Sequence, residues 1–167
     1  MDIKTTILVP NDFDNQQISK FIALVNTGGE VSNLTEAKVR TAKYLAMTSI
    51  DGPLACVGAL KLPENSYRNY VKTQSGFDLS CEHFPLELGW LVTDENFRRQ
   101  GLARFVASGL VNKAQKGAFA TTRLTNRHMH NMLQALGFHV EGNSYPSKRT
   151  PGEWLHLYIR PSQTKSK

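Results

Sequence analysis

Cysteine is scarce in this chain, and acid is nearly missing from its C-terminal part. Among 167 residues the only cysteines are Cys56 and Cys81. They cannot form a disulfide framework, and no CxxC or Cys/His spacing suggests a metal site, so no metal is expected. Cys56 lies in the apolar run Leu54–Leu60 and reads as a core thiol, while Cys81 lies in a polar loop. No apolar run approaches the ~20 residues of a membrane-spanning helix, so no membrane partner is expected. The start, MDIKTTILVPNDF, lacks the basic region and long apolar stretch of a secretion signal, and the expected compartment is the cytoplasm. Internal repeats and long linkers are missing too. The length suits one domain over 1–161 with a real core, followed by a disordered tail over 162–167.

The charge is unevenly spread. Residues 1–96 carry 8 Lys/Arg against 12 Asp/Glu, whereas 97–167 carry 12 against 2. The net charge of +6 therefore conceals a strongly basic second part. Such a part attracts anions, either a phosphorylated cofactor or nucleic acid. A solvated basic face is the plainer reading of the scattered lysines near the end.

Periodicity sketches the elements. Ile7–Val9 reads as a first strand. Asn11 or Asp12 is placed to cap a helix over Asn15–Val25, with Ile18, Phe21, Ile22 and Val25 on its apolar side. Gly28-Gly29 ends it. A short helix from Thr35 leads into a strand at Tyr44–Ser49, and Asp51-Gly52 turns the chain back into Leu54–Leu60, a hairpin signal. Ser66–Gly76 reads as a weakly helical connection. In Leu86–Thr93, Leu86, Leu88, Trp90 and Val92 alternate with Glu87, Gly89, Leu91 and Thr93. A helix over Leu102–Lys116, a strand over Phe119–Thr125, an amphipathic helix over Asn126–Leu136 and strands at Phe138–Glu141 and Trp154–Ile159 complete the order. The pattern predicts an α/β fold with antiparallel strands early and a parallel crossover in the middle.

Between strand 86–93 and the next helix stands Arg98-Arg99-Gln100-Gly101-Leu102-Ala103. A strand that turns into a helix through glycine and small residues presents backbone N–H groups at a positive helix end, a geometry that holds phosphate. Gly101 permits close backbone approach, and Arg98, Arg99 and Arg104 add charge. The loop fits the pattern [Q/R]-x-x-G-x-[G/A]. Downstream, Asn126 is followed by apolar Met129 and Leu133 and by Gly137-Phe138. With Glu87-Leu88-Gly89-Trp90-Leu91-Val92, these blocks resemble the GCN5-related N-acetyltransferase superfamily, over roughly the C-terminal half of the chain.

The resemblance implies a mixed central sheet with helices on both faces and a splayed parallel strand pair, and acetyl-CoA as acyl donor. It implies that Leu91, Val92 and Thr93 offer backbone hydrogen bonds to the pantetheine arm. Arg98, Arg99, Gln100, Gly101, Leu102, Ala103 and Arg104 would hold the pyrophosphate. Asn126, and more weakly Asn131, would touch the cofactor arm, although Asn126 is equally suited to cap a helix. Glu87 is the candidate base for a protonated amine, with a structural ion pair as the other reading. A backbone N–H near Val92 would stabilise the oxyanion. Relatives often place a tyrosine acid at the position of Leu133. Its replacement leaves Tyr145 as the nearest hydroxyl, or no acid, or Tyr145 packed on the sheet. His128 and His130 read as surface residues. Ser66-Tyr67-Arg68 reads as a substrate contact or as an exposed helix start.

The expected activity is acetyl transfer to a primary amine of a small molecule, amino acid or protein. Two alternatives stay open: an acceptor on nucleic acid, such as an aminoacyl-tRNA or a base, and a CoA-binding module without turnover. The acceptor's identity and formation of a homodimer are also left open.

Overall fold

The computed structural model describes residues 1–31 and 33–163. Its elements divide between two compact units: Met1–Leu62 with Leu88–Lys113, and Pro63–Glu87 with Ala114–Lys167. Of the expected tail, 164–167 lie outside the described residues, while Ser162 Oγ donates to the Gln115 carbonyl at 3.2 Å.

In the first unit the strand order is β1 (Ile3–Leu8), β2 (Tyr44–Ile50), β3 (Leu54–Lys61), β4 (Leu86–Thr93, here from Leu88). β1 and β3 both run antiparallel to β2. The β2–β3 turn is made by Asp51 (φ 51°) and Gly52 (φ 108°), the paired positive angles that an Asp-Gly hairpin supplies. Helix α1 (Asn15–Thr27) begins at the expected Asn15, but neither Asn11 nor Asp12 caps it. Pro10–Asp12 winds a 3-10 turn, so Asp14 becomes the cap and closes a capping box with Gln17. α1 buries Ile18, Phe21, Leu24 and Val25 in a core with Val57, Ala59 and Trp90. The short α2 (Glu36–Arg40) adds Val39 to it.

Helix α4 (Leu102–Val111) covers the other face. Gly58, between Val57 and Ala59, leaves the space that Leu91, Val106 and Leu110 fill; a Cβ there would stand 2.9 Å from Leu91 Cδ1. The helix stops at Val111, short of the expected Lys116. The Asn112 amide makes the last α-type bond, to Ser108, and the Lys113 amide closes the helix with a tighter three-residue bond to Leu110.

Trp90 departs from simple alternation. Its φ is +49°, a left-handed residue inside β4. Such a conformation costs about 1–3 kcal/mol and persists only where packing over-determines it. The indole meets Phe21 edge-on at 6.3 Å and carries the Lys61 ammonium 5.2 Å from its centre. The two-residue period of 86–93 is therefore interrupted at Trp90.

In the second unit the order is β4 (Leu86 and Glu87), β5 (Ala118–Arg123), β7 (Trp154–Arg160), β6 (His139–Pro146). β4 and β5 are parallel, with Leu86 opposite Ala118 and Glu87 opposite Phe119. The other pairs are antiparallel. β6 runs past the expected Glu141, because an irregularity between Glu141 and Tyr145 absorbs Gly142 (φ +72°) and returns Tyr145 to the ladder opposite Leu155. The expected weak connection at 66–76 is a full helix, α3 (Asn65–Ser75), ended by left-handed Gly76. Helix α5 (Arg127–Ala135) buries Leu133. Val71, Leu79, Phe119, Tyr145, Leu157 and Ile159 form this unit's core.

Ser66 and Tyr67 are exposed at the start of α3, as the plainer reading has it, but Arg68 is buried. Its guanidinium donates to the carbonyls of Leu79 (3.3 Å), Phe84 (2.8 Å) and Pro85 (3.2 Å) and lies over the Phe119 ring. Arg68→Met keeps the stem and strands those carbonyls. It is expected to destabilise the protein by about 3 kcal/mol, measured by urea unfolding.

Candidate functional site

One candidate region lies in the first unit, where β4 leads into α4. Leu91, Val92 and Thr93 are half-buried. The Val92 methyls fill the space beside Gly28, and Thr93 Oγ1 donates to Cys56 Sγ at 3.3 Å. Asp94 caps the 3-10 turn Glu95–Phe97, and the chain continues through extended Arg98 to Arg99 (φ +63°) and Gly101 (φ +75°). α4 starts at Leu102 with Gly101 as its N-cap and no side-chain cap. The amides of Leu102, Ala103 and Arg104 precede any helical acceptor. Arg98, Arg99, Gln100, Gly101 and Arg104 are exposed, Ala103 is half-buried and Leu102 anchors the turn in the core. A Cβ on Gly101 would meet nothing within 4 Å. Its glycine is thus required by backbone conformation, while the space above it stays open to a ligand. Alternating left-handed residues, free first-turn amides and exposed guanidinium groups make an anion cradle.

The second region lies in the other unit. Glu87 is 3% exposed, and the Tyr67 hydroxyl donates to its Oε2 at 2.7 Å. Tyr67 Oη also lies 3.3 Å from Thr121 Oγ1. The Tyr67 residue as a whole is 37% exposed, while its hydroxyl is held by the buried Glu87. Burial, and then the Glu87 charge, push its pKa well above the usual tyrosine range. Tyr145 is buried, meets Tyr70 edge-on at 6.2 Å, and is likewise raised by burial first and by Glu87 second. The structure therefore brings Glu87 and Tyr145 into one cluster with Tyr67 and Tyr70. Both Tyr67 and Tyr145 keep their protons at neutral pH.

That proton retention has a consequence for stability. Unfolded tyrosines ionise near pH ~10. Because the folded values are higher, the stability these groups contribute is fully present below that pH and is lost as pH rises through the folded-state values. Melting temperatures should fall above pH ~10, with a smaller fall in Tyr67→Phe.

Asn126 is the N-cap of α5, its Oδ1 accepting from the Met129 amide at 3.2 Å, and Asn131 is exposed on that helix. His128 is exposed, but His130 is not the surface residue that the sequence suggests. His130 Nε2 faces the carbonyls of Arg123 (3.0 Å) and Leu124 (3.1 Å), so it carries a proton. Nδ1 pairs with the Tyr158 hydroxyl. Leu133, where the resemblance would place a tyrosine, is fully buried. Among the described residues no cluster of His, Cys, Asp or Glu could hold a metal ion, and no helix is long and apolar enough to cross a membrane.

Tyr67 was underread from sequence. Its signal is Tyr67-x-x-Tyr70, a spacing that puts both rings on one side of a helix, and it is visible only once 65–75 is recognised as helical.

Residues 81–146 match the family described as FR47-like protein. No curated protein sequence matches the chain. Several solved structures share its fold. Escherichia coli ElaA superposes with a TM-score of 0.70 at 12% identity, over 95% of this chain and 99% of that one. An acetyltransferase of the GNAT family from Streptococcus agalactiae gives 0.69 at 16% identity, over 96% of each chain. YncA from Salmonella typhimurium, solved with its cofactor acetyl-CoA, gives 0.69 at 12% identity, over 100% of this chain and 98% of that one. At such identities the likeness is one of fold. The chain thus shares its fold with acetyltransferases of the GNAT family, and its segment 81–146 matches the FR47-like family.

Proposed function

We propose that this protein is an acetyl-CoA-dependent N-acetyltransferase that passes an acetyl group directly to a primary amine. The observation that carries the reading is the uncapped start of α4, where left-handed Arg99 and Gly101 and exposed Arg98, Arg99 and Arg104 form a cradle that suits a diphosphate. YncA, whose structure contains acetyl-CoA, shares this fold and supports the assignment. Acetyl-CoA, when bound, supplies the activated acetyl thioester.

The remaining roles belong to the chain. The amides of Leu102, Ala103 and Arg104 bind the diphosphate, with Gln100 beside them. The main chain of Leu91, Val92 and Thr93 aligns the pantetheine arm, and Asn126 and Asn131 are the contacts proposed on α5. Glu87 accepts the proton that an ammonium acceptor must lose before it can attack, directly or through water. Tyr67 orients that carboxylate by its hydrogen bond to Oε2. A thiol of pKa ~8.5 is a tolerable leaving group as the anion, which makes Leu133 at the usual tyrosine position compatible with turnover without an acid.

A panel of amine acceptors tests the reading through thiol release from acetyl-CoA. Release with at least one amine is expected. Tight acetyl-CoA binding with no release from any acceptor would instead favour a non-catalytic CoA-binding module. The excess of 12 Lys/Arg over 2 Asp/Glu in 97–167 favours a nucleic-acid-borne acceptor as second reading. RNA binding that weakens steeply with salt would support it.

A further inference from the structure

Two histidines of the second unit meet where β5 passes into α5. His130 projects from α5, and its Nε2–H is shared by the carbonyls of Arg123 (3.0 Å) and Leu124 (3.1 Å), at the end of β5. Its Nδ1 pairs with the Tyr158 hydroxyl of β7. The side chain therefore ties α5 to two strands, one turn after the Asn126 cap. His156, opposite Thr122 in the β5–β7 ladder, meets the His130 ring edge-on at 6.0 Å. Its Nδ1 is buried and has no hydrogen-bond partner among the described residues.

Protonation affects the two rings differently. His130 already donates from Nε2, and as a cation it would also donate to Tyr158 from Nδ1, so its ties survive. Neutral His156 can leave Nδ1 bare. Its cation must carry an N–H there, buried without an acceptor and beside another imidazole. Burial, and then His130, hold the His156 pKa below the usual histidine range. On the same face of β7 lie Tyr158 and Arg160, whose Nε donates to the Leu136 carbonyl at 2.9 Å. Arg127, one turn before His130 on α5, is exposed. β5 presents Ala120 and Thr122 to this face, and β6 presents Val140. His139 and Glu141 of β6 bond each other and stand opposite Ile159 and Leu157, on the other face. Acid thus favours a protein in which His156 has left its place against His130.

We propose that His130 is a positioning residue that holds the start of α5 for acetyl-CoA binding, and that His156 makes this hold sensitive to acid. The inference rests on the reading that Asn126 and Asn131 of α5 touch the cofactor. When His156 is charged it leaves His130, the first turns of α5 shift, and the affinity for coenzyme A falls.

Calorimetric titration with coenzyme A tests this at about pH 8 and about pH 5, which bracket the histidine range. The phosphate monoester of coenzyme A titrates near pH ~6 in every sample, so the fall in affinity is compared between proteins. His156→Phe keeps an aromatic ring and cannot take a charge. It is expected to bind like the wild type at the higher pH. On acidification the wild type should lose at least about fivefold more affinity than this variant, the lower end of usual coupling between two sites. His130→Phe should bind at least about fivefold more weakly than the wild type at the higher pH. His130→Gln, whose amide can still donate to the two carbonyls, should bind nearly as well as the wild type. An equal fall in the wild type and His156→Phe, or unchanged affinity in a folded His130→Phe, overturns this inference alone. Should His130→Phe not fold, the comparison with His156→Phe decides. A wild-type protein that binds no coenzyme A at either pH overturns the proposed transferase, and this inference with it.

Discussion

Glu87→Gln is expected to lower kcat by about 10²- to 10⁴-fold while leaving acetyl-CoA affinity unchanged, since general-base catalysis contributes on that scale. The substitution is close to isosteric. The amide oxygen can still accept from Tyr67 Oη, which now bonds the carboxylate at 2.7 Å, so the orienting contact survives and the proton acceptor is lost. Thiol-release kinetics and calorimetric titration separate the two effects. Should Glu87 serve only as a buried structural charge, the variant would melt at a different temperature and turn over normally, which removes it as base.

Gly101 yields the second large effect. At φ +75° an L side chain is strained whatever the room around it, and a left-handed non-glycine residue costs about 1–2 kcal/mol. Gly101→Val should therefore either shift the loop or hold a branched side chain over the amides of Leu102, Ala103 and Arg104. Either outcome is expected to weaken acetyl-CoA binding by at least about tenfold, a loss of about 1.4 kcal/mol. Because a Cβ at Gly101 meets no protein atom within 4 Å, the fold should tolerate the change apart from its local strain. Unchanged affinity would show that phosphate does not sit there.

How far these features could be read from sequence depended on whether the physics was local. The Asp51-Gly52 turn, the apolar side of α1 and the loop into α4 were legible, because turn chemistry and helical spacing act within a few residues. Trp90 was not. Its left-handed conformation is imposed by contacts with Phe21 on α1 and with Lys61, far away in the chain, and nothing in Gly89-Trp90-Leu91 marks it. Tyr145 was ambiguous because Gly142-Asn143-Ser144-Tyr145-Pro146 has the composition of a loop. Pairing with β7 overrides that composition and carries the tyrosine inside. Helix α3 was underestimated for a related reason. Asn, Ser, Thr and Tyr are indifferent helix formers, and the helix is held in place by buried Arg68 and Val71. The role of Asn126 as a cap was readable, since asparagine before an amphipathic run is a local signal. The anchoring of His130 on the carbonyls of Arg123 and Leu124 and on Tyr158 depends on the path of β5 and β7, so a lone histidine gave no hint of it.

The central claim is that main-chain amides at the start of α4 bind the diphosphate of coenzyme A. Calorimetric titration of coenzyme A into the wild-type protein and into Gly101→Val tests it most directly. Saturable binding at one site is expected in the wild type, with markedly weaker binding in the variant. A folded wild-type protein that takes up no coenzyme A would contradict it.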